Sequence, residues 1–335
     1  MTKPRKRDPE RSSRLATIVK TLLVLATITL LCVAIYGVYL TKQAEVAVTQ
    51  AHEKIEGREN SSKREMQVEP LKDNLSILLI GVDDSEVRQQ GADYSRSDAL
   101  MLATLNNKSK TVKLVSIPRD AYVHIPAIGY SDKITHSHSK AGTLGTIETV
   151  EELFDVPVDY YVRMNFNAFI DVVNALDGVE ADVPYELLEK DEFDQTAVHL
   201  MPGVQTLNGS EALAFARTRK QDTDVDRGKR QQQLVQAIMK KAASMDAVLK
   251  YDDVLRAVGD NMKTDLTFSE IKSLLYYLSK GMPQIDTLTL EGEDALLPAG
   301  YYYDVDETSR QMISEKLRKH LGLPPSTDLV EEEAL

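Results

Sequence analysis

The 335-residue chain has a single cysteine, Cys32. It can form no internal disulfide, and no Cys/His cluster has the spacing of a zinc site. A folded part must therefore be held together by its apolar core. Positive charge is also scarce: 40 Lys and Arg stand against 52 Asp and Glu, a net charge of −12. That balance gives no support to a nucleic-acid partner or a general anionic surface. No internal repeat and no second domain of any size is visible. Long apolar runs are absent too, with one exception.

The exception is residues 21–41, TLLVLATITLLCVAIYGVYLT, a charge-free run long enough to cross a hydrocarbon core of ~30 Å. It exceeds the roughly 7–15-residue apolar stretch of a signal peptide, and no small-x-small cleavage site follows Tyr39 cleanly. Lys3, Arg5, Lys6, Arg7, Arg11, Arg14 and Lys20 precede it against only Asp8 and Glu10. The positive-inside rule then predicts a cytoplasmic basic tail over 1–20, one transmembrane helix over 21–41 and an extracellular remainder. The charged stretch 42–73 reads as a solvated stalk.

From residue 74 the pattern changes. LSILLIGVDD (75–84), ALMLATLN (99–106) and TVKLVSIPRD (111–120) read as buried strands, the last two joined by the turn NNKSK. Helices are predicted over 145–154, over 167–176 with Gly178 closing it, and over 230–245 with Leu234, Val235, Ile238 and Ala242 as one stripe. Thr267 with Glu270 makes a capping box for a helix through Leu278. A strand over 285–292 and a helix over 307–320 follow, while 177–202 reads as irregular or extended. Strands and helices interleave, which predicts one α/β domain over 74–325, a central sheet flanked by helices. EEEAL closes an acidic tail, 326–335, expected to be disordered.

In AFARTRKQDTDVDRGKRQQQ (214–233) an acidic chain crowds six basic residues around Asp222, Asp224 and Asp226. A calcium loop counted from Asp222 would need Gly and Glu where Arg227 and Gln233 stand, so that reading fails. An extended backbone puts Arg217 and Arg219 on one face. In the helix that follows, Arg227, Arg230, Gln231, Leu234 and Ile238 share a face. Cations are disfavoured at a helix N-terminus unless an anion binds there. Two readings remain open from these residues alone: an anion site, and a solvated face neutralised by its own aspartates. RSD (96–98), PRD (118–120) and GVDD (81–84) place further arginines and carboxylates at strand ends, where open α/β sheets carry ligands. Asp83 and Asp98 suit either turn capping or magnesium. His136 and His138, in THSHS, are expected to be solvated.

Taken together, GVDD (81–84), RSDALML (96–102), KLVSIPRDAYVHI (113–125), DKITHSHSKAG (132–142), VDYYVRMNFNAF (158–169), LDGVEADVP (176–184) and LNGSEALAFARTRKQDTDVDRGKRQQQLVQAI (207–238) resemble the LytR-CpsA-Psr family, in order over about residues 74–245. The resemblance implies a membrane-anchored phosphotransferase. It would move a glycopolymer, wall teichoic acid or capsular polysaccharide, from an undecaprenyl-diphosphate carrier to a muramic-acid hydroxyl of peptidoglycan. It also implies an apolar lipid pocket beside the sheet. By position Asp83 and Asp98 match magnesium-binding carboxylates, with manganese the alternative ion. Arg119, Arg217, Arg219 and Arg227 match diphosphate-binding arginines, with Gln231 beside them and Arg96 at a motif position. Asp226 is expected as general base in preference to Asp98, since a metal-bound carboxylate is a poorer base. ITHSHS and RSDA depart from the family pattern around the charged centre. The competing expectations are a lipid-diphosphate phosphatase and a non-catalytic receptor for lipid-linked polymer. The predicted twenty-residue cytoplasmic tail is too short for a helix-turn-helix unit, which excludes direct transcriptional control.

Overall fold

The computed structural model describes residues 45–83, 95–191, 197–219, 223–243, 261–279 and 281–326, together with 27, 29–31, 35–39 and 41–43. The expected cytoplasmic tail, nearly all of the acidic tail, Asp84 and Asp222 lie outside the described residues. Helix α1 (Thr29–Ala51) is 23 residues long and apolar enough to cross a membrane. It continues past residue 41, and its last turns bury Ala47, Val48 and Ala51.

The chain continues with β1 (Leu75–Val82), β2 (Ser97–Asn106), β3 (Thr111–Ile117), β4 (Tyr122–Ile125), β5 (Tyr130–Lys133), α2 (Thr135–Phe154), β6 (Tyr160–Asn165) and α3 (Phe166–Ala175). Next come β7 (Val179–Val183), β8 (Leu187–Lys190), β9 (Ala197–Leu200), β10 (Gly203–Leu207), α4 (Gly209–Arg217) and α5 (Asp224–Ala242). The described part closes with β11 (Met262–Thr264), α6 (Phe268–Ser279), β12 (Gln284–Thr289), β13 (Gly292–Leu297), β14 (Gly300–Val305) and α7 (Glu307–Leu321). Six strands form a mixed sheet in the order β11-β6-β1-β2-β3-β12. Strands β1 and β6, and β3 and β12, run parallel, and the other pairs antiparallel.

Strand side chains alternate between faces, so each run of apolar residues serves two layers. Leu78, Ile80, Leu100, Leu102, Val115 and Ile117 pack with Ile147 and Val150 of α2 and Ile313 and Leu317 of α7 in the main core. The opposite face carries Leu79, Met101, Ala103 and Leu114, with Val235 of α5 packed against them. That face lies beneath α5 and α6 and forms the wall of the site described below.

Two expectations need correction. The stretch 47–73 is not a free stalk. Arg58 pairs with Glu151 at 2.9 Å and Arg64 with Asp159 at 2.9 Å, with both carboxylates almost fully buried. His52 also bridges to Thr264. Charges that read as solvated in sequence find partners about a hundred residues away, and the compact unit begins at Ala47. The extended alternative for 177–202 holds for its described residues, where β7 pairs with β10 and β8 with β9. His136 and His138 lie in the first turns of α2, and His138 is buried with its Nδ1 2.8 Å from the Ser95 carbonyl. The β13–β14 hairpin was not anticipated; it pairs from Gly292↔Val305 to Leu297↔Gly300.

Candidate active site

The end of β1 meets the start of β2 at an irregularity in the antiparallel ladder. Val82 pairs with Ser97 and Gly81 with Ala99, which leaves Asp98 as the extra residue of a bulge. Bulges re-aim side chains at the ends of sheets. Gly81 packs closely here: a Cβ on it would lie 3.0 Å from the Cβ of Ala99, tighter than an ordinary side-chain contact. Just beyond, the Asp83 amide donates to the Arg96 carbonyl at 3.4 Å, which brings Asp83, Arg96 and Asp98 to one corner. Beyond β3 the chain turns through Pro118, whose carbonyl accepts from the Ala121 amide at 3.0 Å. Arg119 on that turn donates to Asp98 Oδ1 at 2.5 Å and approaches Asp120 Oδ2 at 3.6 Å. Burial alone would raise the Asp120 carboxyl. The hydrogen bond from Lys133 and the charge of Arg119 outweigh that and hold it below the ordinary carboxylate range.

The second half of the site is the α4–α5 corner. Helix α4 begins with an Asn208–Glu211 capping box and ends at Arg217, whose guanidinium lies 4.8 Å from the Phe166 ring centroid. Arg219 follows in the connection, its Nε 3.6 Å from Asp224 Oδ1. Helix α5 starts with a Thr223–Asp226 capping box. Asp226 accepts from the Thr223 hydroxyl at 2.8 Å and from Lys229 at 3.1 Å. One turn on, Gly228 lets α5 approach β3 so closely that a Cβ there would stand 2.5 Å from Ser116 Oγ. This approach carries Arg227 under the surface, 3.4 Å from Asp224 Oδ1, with side-chain exposures of 6% and 8%. Burial first, and then the charges of Arg219 and Arg119, push the Arg227 guanidinium down to about 10. The cluster of cations works against itself until an anion arrives.

These residues open into a cavity of about 1000 Å³, at the upper end of the ~300–1,000 Å³ range of ligand pockets. Asp83, Arg96, Asp98, Arg119, Arg217, Arg219, Arg227 and Gln231 all line it. They come from the β1, β2 and β3 ends and the α4–α5 corner. Elsewhere the lining is apolar: Ile77, Leu79, Met101, Leu105, Val112 and Leu114 from the sheet, Val235 and Ile238 from α5, and Leu274 and Leu278 from α6. The cavity is thus charged at one end and greasy along the rest, the shape of an amphiphile with an anionic head.

Eight of the nine residues expected at the site line this cavity. The ninth, Asp226, does not. Its carboxylate is held by Thr223 and Lys229, and these bonds keep it low against the opposing effect of burial. It serves the capping box of its own helix and lies outside the cavity lining that the other eight share. Of the aspartates expected to neutralise these cations, Asp224 is the one that holds Arg219 and Arg227. It was not expected at the site itself; its spacing of three from Arg227 is the signal for it. Arg230, on the same helical face in sequence, is also separate: it donates to the carbonyls of Phe215 at 3.0 Å and Thr218 at 2.6 Å and fixes the corner.

Two carboxylates at a bulged strand end, both facing the cavity, form a hard oxygen donor set. Magnesium commonly takes one or two carboxylates and fills its remaining positions with water or phosphate oxygens. Asp83 and Asp98 fit that ion. Among the described residues no cluster of three or more His, Cys, Asp or Glu would hold a metal by protein ligands alone.

The profile of the LytR_cpsA_psr family matches residues 38–319. Over 292 residues the chain is 40% identical to the polyisoprenyl-teichoic acid–peptidoglycan teichoic acid transferase TagT of Bacillus subtilis, covering 86% of this chain and 89% of that one. A structure of TagT bound to LIIa-WTA superimposes with a TM-score of 0.69 at 37% identity, covering 81% of this chain and all of that one. The LytR-CPS2A-psr family protein YwtF (TagT) with bound octaprenyl pyrophosphate lipid gives a TM-score of 0.65 at 35% identity, with 81% and 100% covered.

Proposed function

Because the chain belongs to the LytR-CpsA-Psr family, we propose that it is a phosphotransferase joining a lipid-linked glycopolymer to peptidoglycan. The donor polymer is a teichoic acid on a polyprenyl diphosphate, the class named for its relatives. The acceptor is a muramic-acid hydroxyl. The observation that carries this reading is the continuity of one cavity from an arginine-rich end to an apolar remainder. A lipid-linked diphosphate needs both in one molecule.

In this reading the prenyl chain lies against Leu79, Met101, Leu114 and Ile238, and Arg119, Arg217, Arg219 and Arg227 receive the diphosphate with Gln231 and Arg96 beside them. Phosphoryl transfer asks little covalent chemistry of a protein; positioning and charge stabilisation supply most of the catalysis. Asp224 positions Arg219 and Arg227 from behind. Arg119 is paired with Asp98 when no ligand is bound. A diphosphate that takes Arg119 releases the Asp98 carboxylate. The acceptor oxygen forms its bond to the polymer-bearing phosphorus, the bond from that phosphorus to the bridging oxygen breaks, and lipid monophosphate leaves. Asp98 takes the hydroxyl proton, since no other described carboxylate except Asp83 lines the cavity. Magnesium held through Asp83, with water and phosphate oxygens completing its shell, would supply further neutralisation of diphosphate charge and leave Asp98 free as the base. Helix α1 anchors the chain in the membrane, and the basic tail places the N-terminus inside and the domain outside.

The test uses the full-length chain in detergent, a lipid-diphosphate-linked sugar, a peptidoglycan oligomer and magnesium. Wild type should form a phosphodiester-joined product that Arg119→Ala and Asp98→Ala both lose. Free sugar phosphate without joined product would replace transfer by hydrolysis. Lipid binding without turnover would make the protein a receptor.

A further inference from the structure

Beside the charged end of the cavity, a patch of tyrosines and lysines takes no part in the chemistry above. Tyr122 of β4, Tyr130 of β5 and Tyr301 of β14 are 40%, 52% and 39% exposed. None of them lines the lipid cavity. They are fixed in place. The Tyr122 ring meets the buried Tyr302 ring edge-on at 5.1 Å between centroids. Lys133 lies 5.6 Å and 5.3 Å from the Tyr301 and Tyr302 centroids, and Lys140 lies 5.0 Å from that of Tyr130. Each lysine is neutralised by a carboxylate, Lys133 by Asp120 at 2.8 Å and Lys140 by Asp132 at 2.6 Å.

The patch is joined to the reacting centre by direct contacts. Asp120 sits between Lys133 and Arg119, accepting from Lys133 and facing Arg119 Nε at 3.6 Å. The Asp120 carbonyl accepts the Tyr303 amide at 2.8 Å, which ties β14 to the Arg119 turn. The Tyr301 hydroxyl donates to Asp294 at 2.7 Å. Burial and that bond raise its phenol above the ordinary tyrosine value, and the charge of Asp294 adds to the effect.

Resting on the transferase reading, we propose that this ledge of Tyr122, Tyr130 and Tyr301 with Lys133 and Lys140 is the acceptor subsite, holding the amino-sugar backbone of a peptidoglycan strand. Exposed rings offer flat apolar faces to the axial C–H face of a pyranose, and neutralised lysine–carboxylate pairs offer fixed donors and acceptors to its hydroxyl and acetamido groups. A strongly anionic partner would need free cations, and here each lysine is already paired. A prenyl chain would need a dry cavity. The ledge also meets the charged end of the cavity through Asp120, which faces Arg119 and accepts from Lys133, so a sugar held on it would present a hydroxyl to the end that receives the diphosphate.

Two measurements on the full-length chain in detergent test this: direct binding of a peptidoglycan oligomer without donor, and the KM values for donor and acceptor in the joining reaction. Tyr122→Ala and Tyr301→Ala should each weaken oligomer binding and raise the acceptor KM about tenfold, the loss of one aromatic contact of ~1.4 kcal/mol. The dissociation constant for the lipid diphosphate should stay at its wild-type value. Tyr122→Phe and Tyr301→Phe, which keep the rings, should restore most of the acceptor affinity. Equal effects on donor and acceptor KM would assign the ledge to the donor polymer, and unchanged acceptor binding in both alanine variants would remove the subsite; either overturns the proposal. A wild-type protein that binds the oligomer at the ledge yet joins nothing would instead overturn the transferase reading.

Discussion

Arg227 separates a binding site from a structural ion pair by an experiment on stability. Its guanidinium is held near 10 against an ordinary 12.5, so keeping it charged in the ligand-free fold costs roughly 3 kcal/mol at 1.36 kcal/mol per pKa unit. Arg227→Met removes that charge and keeps most of the volume. The substitution also removes the partner 3.4 Å from Asp224 and leaves that carboxylate to Arg219 at 3.6 Å. Leaving a buried carboxylate with one partner fewer costs about 2–4 kcal/mol, a loss that Arg219 limits. The two effects nearly offset, so the ligand-free Tm should stay within roughly 4 °C of wild type. Lipid-diphosphate binding should fall, since one charge-assisted hydrogen bond is worth ~1.5–3 kcal/mol, or roughly 10- to 150-fold in affinity. Differential scanning fluorimetry with and without a short-chain lipid diphosphate reads both effects. A ligand-free Tm several degrees below wild type, with the ligand-induced increment intact, would refute the argument and make Arg227 a structural cation.

Gly228→Ala forces the first turns of α5 away from Ser116 and should weaken lipid-diphosphate binding. Combining it with Ser116→Gly should recover affinity, and a double variant no better than the single one would show that close packing there is not what positions Arg227. Asp226→Ala removes a helix cap and should lower stability by about 1 kcal/mol with turnover within twofold of wild type; a hundredfold loss of turnover would return Asp226 to the chemistry. Asp265 is pushed up to about 6 by burial, which outweighs its hydrogen bond from the Tyr161 amide. A raised carboxyl means that the native state holds the proton more tightly than the unfolded one, so stability is fullest below about pH 4 and falls as pH rises through 6. Urea unfolding should show Asp265→Asn stabilised by roughly 2–3 kcal/mol at pH 7.5 and nearly matched to wild type at pH 4. An equal gain at both values would exclude charge as its source.

The charged half of the site was legible because its residues fall at strand and helix ends, where sequence patterns are strongest. GVDD, RSD and PRD end or begin runs of alternating apolar residues, and a helix whose stripe changes from Leu234 to Arg227 can hardly hide the change. What the sequence could not supply is side-chain partnership. Asp222, Asp224 and Asp226 look equivalent along the chain, yet Asp224 faces Arg219 and Arg227 while Asp226 turns back on its own Thr223. A capping box is local and could have been read from Thr223 and Asp226; the functional expectation displaced it. The apolar half was only partly visible: the resemblance implied an apolar pocket beside the sheet, but nothing in the strands' apolar pattern marked which of their side chains, on which sheet face, would line it.

That sheet face shows why a lipid cavity escapes a reading of hydrophobic pattern. Leu78 and Leu79 are neighbours in one apolar strand. Leu78 is packed against the main core, and Leu79 faces the cavity. Both positions satisfy the same rule, that apolar residues leave water, because a prenyl chain satisfies it as well as a packed helix does. The missing information is the distance between the layers, set by how α5 and α6 sit over the sheet. Gly228 contributes to that setting at one end by drawing α5 onto β3 at Ser116, while farther along the same helix Ile238 and Met239 line the cavity. A helix held close at its charged end and lining the cavity beyond it closes the diphosphate end and leaves room for the lipid. The same substitution at Gly228 should therefore disturb the two ends differently, with a larger loss for a short prenyl diphosphate than for a long one, whose tail retains its contacts with α6.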